Sequence, residues 1–281
     1  MPELPEVETI KRTLAGKITG AKIKDVEILT AKFIRNVPVA DFLERVRDKR
    51  IVDINRRGKR LILDLGKDFL VIHLMMAGRL LYHAAGDPRA KHTHLVFWLD
   101  NGAELRYVDL RHFGGLFLHG KEDDTPWTSL GPEPLEDEFS MDYFQRVLGS
   151  RRGKIKSCLL DQKLVAGLGN IYADECLFQA GIHPAREASS LGGTEVERLH
   201  RAIREVLSDA IAHRGTTFAT YVDGEGNKGE YASMLKVYRR VGQPCANCRT
   251  PISKVRLAGR TAHFCGMCQK AGEGSAAHRA D

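Results

Sequence analysis

The chain has 281 residues, a formal net charge of +7 and 43% hydrophobic residues. This length predicts two domains with room for a small appendage, and the apolar content suffices for packed cores. No apolar run is long enough to span a bilayer, and the leader MPELPEVET lacks the basic and apolar regions of a signal peptide, so a cytoplasmic protein with no membrane partner is expected.

Residues 5–15 read as a helix. Pro5 suits the first helical position, Glu6 and Glu8 favour the positive end of the dipole, Val7, Ile10 and Leu14 share one face, and Gly16 is the expected stop. Short runs rich in branched and aromatic residues follow at 60–65, 69–75, 94–99, 104–110 and 116–119, separated by turn signals. They predict an antiparallel sandwich or barrel. The segment 130–138, with two prolines and a charge run, marks a boundary.

Beyond it the pattern is helical. Ser140 can cap a helix carrying Met141, Phe144 and Val147, and Asn170 can cap a helix that stops at Gly181. Thr194 and Glu197 can form a capping box ahead of Val196, Leu199, Ile203, Val206, Leu207 and Ile211. Cys158 and Cys176 sit in apolar helical patterns and read as buried thiols of a reducing compartment. Residues 216–230 are loop-like, and the small, polar residues 271–281 read as a disordered tail. The expected organisation is α+β and multi-domain: a β-sandwich with a leading helix at 1–134, a helical domain at 135–230 and a metal-stapled module at 236–270.

That module rests on Cys245, Cys248, Cys265 and Cys268, spaced as C-x2-C, sixteen residues, C-x2-C. This is four-thiolate zinc spacing, and four sulfurs leave no open position, so one structural zinc ion is expected. Two disulfides or four unrelated thiols are the alternative, disfavoured by the absence of a secretory segment. Between Lys236 and Lys270 there are eight Lys or Arg residues and no acid, which suits a polyanion.

The amino terminus carries a second signal. Removal of Met1 would leave Pro2 with a free secondary amine, and an α-amine titrates near ~8, so part of it is neutral at cellular pH. Such an amine can form an iminium ion with an electrophilic carbon, and Glu3 stands next to it for proton transfer. Alone, the segment reads first as a helix leader with acidic caps.

Its company decides between these. MPELPEVET, HLMMAG (73–78), LRYVDLRHFGG (105–115), LGPEPL (130–135), IKSCLLDQKLVAGLGNIYADECLFQAGIHP (155–184) and the cysteine pairs occur in one order. Up to Lys270 the chain resembles the bacterial formamidopyrimidine-DNA glycosylase family of 8-oxoguanine DNA glycosylases and AP lyases. The resemblance implies an N-terminal β-sandwich, a helix–two-turn–helix domain and a zinc finger, with damaged double-stranded DNA bound by a monomer. It implies excision of oxidised purines through a Pro2 Schiff base, then β,δ-elimination. Pro2 matches the nucleophile, Glu3 the catalytic carboxylate, Lys59 the β-strand lysine of the lyase steps and Glu6 a structural acid. Glu3, Lys59 and Arg260 match proton donors. Met76, Arg111 and Phe113 match the residues that fill the gap left by the everted base. His92, Arg111, Lys156, Asn170 and Arg260 match DNA contacts.

The chain departs from the family pattern in places. His112 stands where the family often has a second arginine, Ala219 replaces a basic residue in RGTTFATY (214–221), and EYASMLKVYRR replaces an aromatic-Gln stretch. The last two fall in the region that covers the everted base in the family. An endonuclease VIII-like enzyme for oxidised pyrimidines is the neighbouring reading, but that branch usually carries PEGPE at its leader. A non-catalytic zinc ribbon is the other class, and Pro2, Glu3 and Lys59 together argue against it.

Overall fold

A computed structural model describes residues 1–123 and 127–271. The tail expected at 271–281 lies, past Ala271, outside them. The chain divides into two compact units, Met1–Thr128 with Ala210–Ala232, and Ser129–Asp209 with the residues from Ser233 onward. The loop at 216–230, expected in the helical domain, belongs instead to the first unit. The reason is hydrogen bonding: Thr216 N–H donates to Glu6 (2.8 Å), Gly224 N–H to Thr13 Oγ1 (3.0 Å), and Tyr82 N–H to the Gly224 carbonyl (2.8 Å).

The first unit opens with α1 (Leu4–Ile18), which passes Gly16 and ends at Thr19. A helical glycine costs only about 1 kcal/mol relative to alanine, and the stop falls at Gly20 (φ +85°) instead. Then come β1 (Ile23–Ile28), α2 (Val39–Val46), β2 (Asp53–Arg57), β3 (Arg60–Asp64), β4 (Asp68–His73), β5 (Gly78–Ala84), β6 (Thr93–Leu99), β7 (Ala103–Asp109) and β8 (Gly115–Gly120). The strands form two antiparallel sheets, ordered β1-β6-β7-β5 and β2-β3-β4-β8. Val7, Ile10, Leu14 and Ile18 of α1 share one buried cluster with Ile23, Leu61, Leu70, Leu95, Leu105 and Leu118 from both sheets. Each such side chain contributes roughly 1.5–3 kcal/mol on burial, so this seam fixes α1, and with it the amino terminus.

The second unit contains α3 (Met141–Gly149), α4 (Ile155–Leu160), α5 (Asn170–Ala180) and the start of α6 (Gly193–Ala212), then the hairpin β9 (Ser253–Leu257) and β10 (Arg260–Phe264). Ser140 caps α3 as expected, accepting the Tyr143 N–H at 3.2 Å. The cap of α5 is Gly169, not Asn170, which is the first helical residue. Its stop is Gly181 in the left-handed region (φ +70°). Thr194 lies inside α6, and Glu195 reaches back, taking the Gly192 N–H at 3.0 Å.

Helix α5 is buried on nearly all sides, and its two adjacent acids are anchors. Glu175 accepts the backbone N–H groups of Lys236, Val237 and Tyr238 at 2.8–3.0 Å. Asp174 Oδ2 accepts both the His263 N–H and its ring Nδ1–H at 2.9 Å. Gln269, fully buried, accepts the Cys265 N–H and donates to the Ile182 carbonyl. The cysteine hairpin is therefore mounted on α5.

Candidate active site and nucleic-acid interface

Glu3 is the cap of α1, and it forms a reciprocal capping box with Glu6. Glu6 Oε2 accepts the Glu3 N–H at 2.7 Å while its Oε1 takes the Thr216 N–H. Both acids are buried, at 3% and 1% exposure. The Tyr221 hydroxyl closes the other side on the Arg214 carbonyl (2.9 Å). Gly215 is required here: its φ is +76° and a Cβ would fall 2.7 Å from Glu6 Oε1. Pro2 is buried in this corner while Met1 is exposed. Burial lowers the chain's α-amine below its ordinary value; Glu3 and Glu6 oppose that, and Lys59 and Arg111 reinforce it. Charges from three separate stretches thus converge on the amino terminus.

Lys59 does not lie on a strand. It shares with Gly58 (φ +56°) the tight turn between β2 and β3, where Arg57 faces Arg60. Arg56 fixes that turn, donating to the Gly58 carbonyl and to Glu8 Oε2, each at 3.0 Å. Burial raises the Glu8 carboxyl, but hydrogen bonds from Arg12 and Arg56 outweigh it and leave Glu8 below the ordinary range. Opposite Arg60 stands His73, which burial, Arg60 and Lys59 together lower to about 4, so its ring is neutral at pH 7.

Met76 (43% exposed), Arg111 and Phe113 (56% exposed) project outward, and an Arg111 Nη1 lies 3.7 Å from the Met76 sulfur. Met76 sits in a turn closed by the Gly78 N–H on the Leu74 carbonyl (2.8 Å), with Met75 left-handed (φ +49°). The 111–114 loop is built around Asp109, which is fully buried. Its carboxylate accepts the N–H groups of Arg111 (2.9 Å), His112 (3.1 Å) and Gly114 (2.9 Å) and faces the Tyr107 hydroxyl. His92 is half-buried at the same end, its carbonyl accepting the Asp109 N–H at 3.0 Å.

In the second unit, Lys156 is not a surface cation. It is 1% exposed, and its Nζ pairs with Asp174 Oδ1 (2.6 Å) and donates to the Thr261 carbonyl (2.7 Å). A lysine this buried needs a paired acid, and α5 supplies one; Arg151, Arg152 and Lys154 are the exposed cations of the preceding loop. Asn170 sits at the start of α5 with its Oδ1 buried and no hydrogen-bond partner among the described residues. Gln162 holds the preceding loop, donating to the Leu160 and Leu168 carbonyls and accepting the Gly167 N–H. Arg260 is exposed beside the Ala258–Gly259 turn, both of whose residues have positive φ.

The sulfurs of Cys245, Cys248, Cys265 and Cys268 lie within 4.8 Å of one another. Each pair forms a knuckle in which a following amide donates to the first sulfur, from Asn247 to Cys245 and from Cys268 to Cys265. Burial and the neighbouring sulfurs push the Cys268 thiol up. A central cation is what lets four such groups ionise together.

Three family models match the chain: the formamidopyrimidine-DNA glycosylase N-terminal domain over residues 1–116, its H2TH domain over 130–222, and the zinc finger found in FPG and IleRS over 242–271. The chain belongs to the formamidopyrimidine-DNA glycosylase family. The formamidopyrimidine-DNA glycosylase of Symbiobacterium thermophilum is 52% identical, over 98% of this chain and 92% of that protein. That of Pelotomaculum thermopropionicum is 45% identical, over 96% and 99%. A solved complex of a Lactococcus lactis FPG mutant with Fapy-dG-containing DNA matches with a TM-score of 0.90 at 37% identity, over 96% of this chain and 100% of that one. The sequence reading missed the anchoring roles of Asp109, Asp174, Glu175 and Arg56. Two adjacent acids in an otherwise apolar helix, and an acid five residues before a Gly-Gly step, were the available signals for the first three.

Proposed function

We propose that, once Met1 is removed, the secondary amine of Pro2 is the nucleophile of this enzyme. The chain is a base-excision DNA repair glycosylase and AP lyase for oxidised purines. In this reading a damaged nucleotide is everted from duplex DNA, and the Pro2 lone pair forms a bond to its anomeric carbon. The base departs with the glycosidic electron pair. Glu3 transfers protons and assists opening of the sugar, leaving an iminium. The iminium then serves as electron sink for loss of the 3′ and then the 5′ phosphate, with Lys59 serving those steps. Arg260 is a further proton donor and phosphate contact.

The observation that carries the reading is the convergence of Glu3, Glu6, Lys59 and Arg111 on the chain's amino terminus. With Met1 removed, the Pro2 secondary amine would stand in this buried corner beside Glu3 and Glu6, and an α-amine titrates at about 8, so part of it carries a lone pair near neutral pH. Met76, Arg111 and Phe113 fill the vacated gap: Met as a flexible plug, Phe as a wedge, Arg as donor to the estranged cytosine. His92, Asn170 and Arg260 contact the DNA backbone, Asn170 from a helix start. One structural zinc ion joins the four cysteines. The protein acts as a monomer in the bacterial cytoplasm; among the described residues no helix is long and apolar enough to cross a membrane.

Borohydride trapping on a duplex containing 8-oxoguanine tests the mechanism. Peptide mapping should place the cross-link on residue 2. Glu3→Gln should keep lesion binding and lose base excision. A cross-link on a lysine, or Met1 retained on active enzyme, would overturn it.

A further inference from the structure

The outer face of the sheet β1-β6-β7-β5 buries an ion pair that the chemistry does not use. Along β7, Leu105 and Tyr107 enter the core cluster, so Glu104 and Arg106 point to the opposite face. Both are 1% exposed. Arg106 uses its whole fork there. Its Nε donates to Glu104 Oε2 at 2.7 Å, its Nη1 to the Pro88 carbonyl at 3.0 Å and its Nη2 to the Asp87 carbonyl at 2.8 Å.

The two carbonyls belong to the connection between β5 and β6, which runs back over its own sheet and covers the pair. The next residue, Arg89, reaches further across. Its guanidinium lies 5.6 Å from the Trp98 ring of β6 and donates to both carboxylate oxygens of Glu27 on β1, at 2.9 and 2.7 Å. The Ala90 carbonyl accepts the Thr93 N–H at 3.1 Å and the Thr93 hydroxyl at 2.8 Å. His92 follows, its carbonyl held by the Asp109 N–H. Residues 87–92 are thus a strap laid across β7, β6 and β1, and the strap ends at His92.

Stability alone does not account for the buried pair. Two charges taken out of water lose hydration that their attraction barely offsets, and apolar residues of the same size are often as stable or more so. Apolar residues cannot, however, hold two consecutive loop carbonyls at set positions, which the rigid guanidinium fork does. We propose that Arg106 is a positioning residue for DNA binding: paired with Glu104, it fixes the 87–92 strap and through it the place at which His92 meets the DNA backbone. The proposal rests on the reading that His92 contacts DNA. Arg106, sealed beneath the strap, acts only through that residue.

The test replaces the pair together, Glu104→Leu with Arg106→Met. Removing one acid and one base leaves the net charge at +7, so long-range attraction to DNA is unchanged. No buried charge is stranded, so the unit should unfold at the wild-type temperature or above it. Hydrogen exchange at 85–91 in the free protein should become faster. Affinity for a duplex carrying a tetrahydrofuran abasic analogue should fall about tenfold, the scale of one charge-assisted hydrogen bond. On an 8-oxoguanine duplex, KM should rise by that factor with kcat unchanged, the mark of a contact made equally before and in the transition state. The route through His92 is read from a cycle: His92→Ala should cost about tenfold in the wild type and nothing further in the double variant. Arg106→Lys is the second variant. It keeps Glu104 paired but replaces the fork by a single donor centre, so it should show the same rise in KM. The proposal is overturned if the strap is released with KM unchanged, if the two losses multiply, or if kcat falls instead. Failure of the underlying reading looks different: His92→Ala would then bind like wild type in every background, and the proposal falls with it.

Discussion

Asp109 holds the 111–114 loop, and replacing it by alanine should disorder that loop before the unit unfolds. The carboxylate serves three backbone N–H groups, on Arg111, His112 and Gly114, and faces the Tyr107 hydroxyl. A hydrogen bond to a charged acceptor contributes about 1.5–3 kcal/mol. Water can replace the carboxylate at the part-buried amides of Arg111 and His112, but not at the buried Gly114 N–H. The expected loss for Asp109→Ala is therefore about 3 kcal/mol, the scale of one or two stranded buried groups. In a unit of about 150 residues this lowers Tm by roughly 6–12 °C. Asp109→Asn keeps an oxygen for two amides but turns an NH2 toward a third donor, so about half that loss is expected. Calorimetry gives the ranking, and hydrogen exchange at residues 111, 112 and 114 reports the loop. A Tm drop below about 2 °C for the alanine variant, with those amides still protected, would refute the reasoning.

Cys248→Ser should release the metal and abolish tight DNA binding while leaving the first unit's unfolding transition unchanged; metal analysis finding no zinc in the wild type, with DNA binding intact, would count against the site. Lys156→Met strands Asp174 with only its His263 donors and should destabilise the second unit by about 3–5 kcal/mol. Under conditions where the variant stays folded, its DNA-binding salt slope should match wild type; a slope reduced by about 0.9 at unchanged stability would return Lys156 to the phosphate contacts. Glu8→Gln should lose about 1–2 kcal/mol at pH 7. Because the folded Glu8 is lowered, that contribution is present above the ordinary carboxylate value and lost as pH falls through the folded one. A stability gap that persists unchanged at lower pH would contradict this.

What was legible in the sequence divides along physical lines. The strands recognised from their apolar runs include the central pairs β3–β4 and β6–β7, which pack on both faces or nearly so. The three overlooked strands of the first unit, β1, β2 and β5, are all sheet edges. β2 shows why: in DINRR only Ile54 is buried, and the other positions are polar because one edge and one face meet other groups or solvent. The four cysteines were legible because metal spacing is local. The burial of Lys156 was not legible because charge alone does not say where a side chain points; its partner, Asp174, lies eighteen positions away on another helix. The placement of Lys59 in a turn was likewise hidden, since the Arg56–Glu8 contact that fixes it spans 48 positions.

The length of the leader motif has a structural cause, which is that α1 serves as the common reference for parts that are remote in sequence. Glu3 caps the helix and Leu4 enters the core. Pro5 supplies a carbonyl to the Thr9 hydroxyl at 2.8 Å. Glu6 ties the amino terminus to Thr216, Glu8 holds the Arg56 that shapes the Lys59 turn, and Thr13 receives Gly224. Further along, Lys17 pairs with Glu225 at 2.8 Å. A substitution at any of these positions changes one distance between the amino terminus and either the lysine turn or the 214–230 loop. Reacting groups must be held to within a fraction of an ångström for an amine to attack a sugar carbon. Under the mechanism proposed above, Pro2 would have no backbone on its other side, so the first two turns of helix and the groups tied to them must supply its positioning.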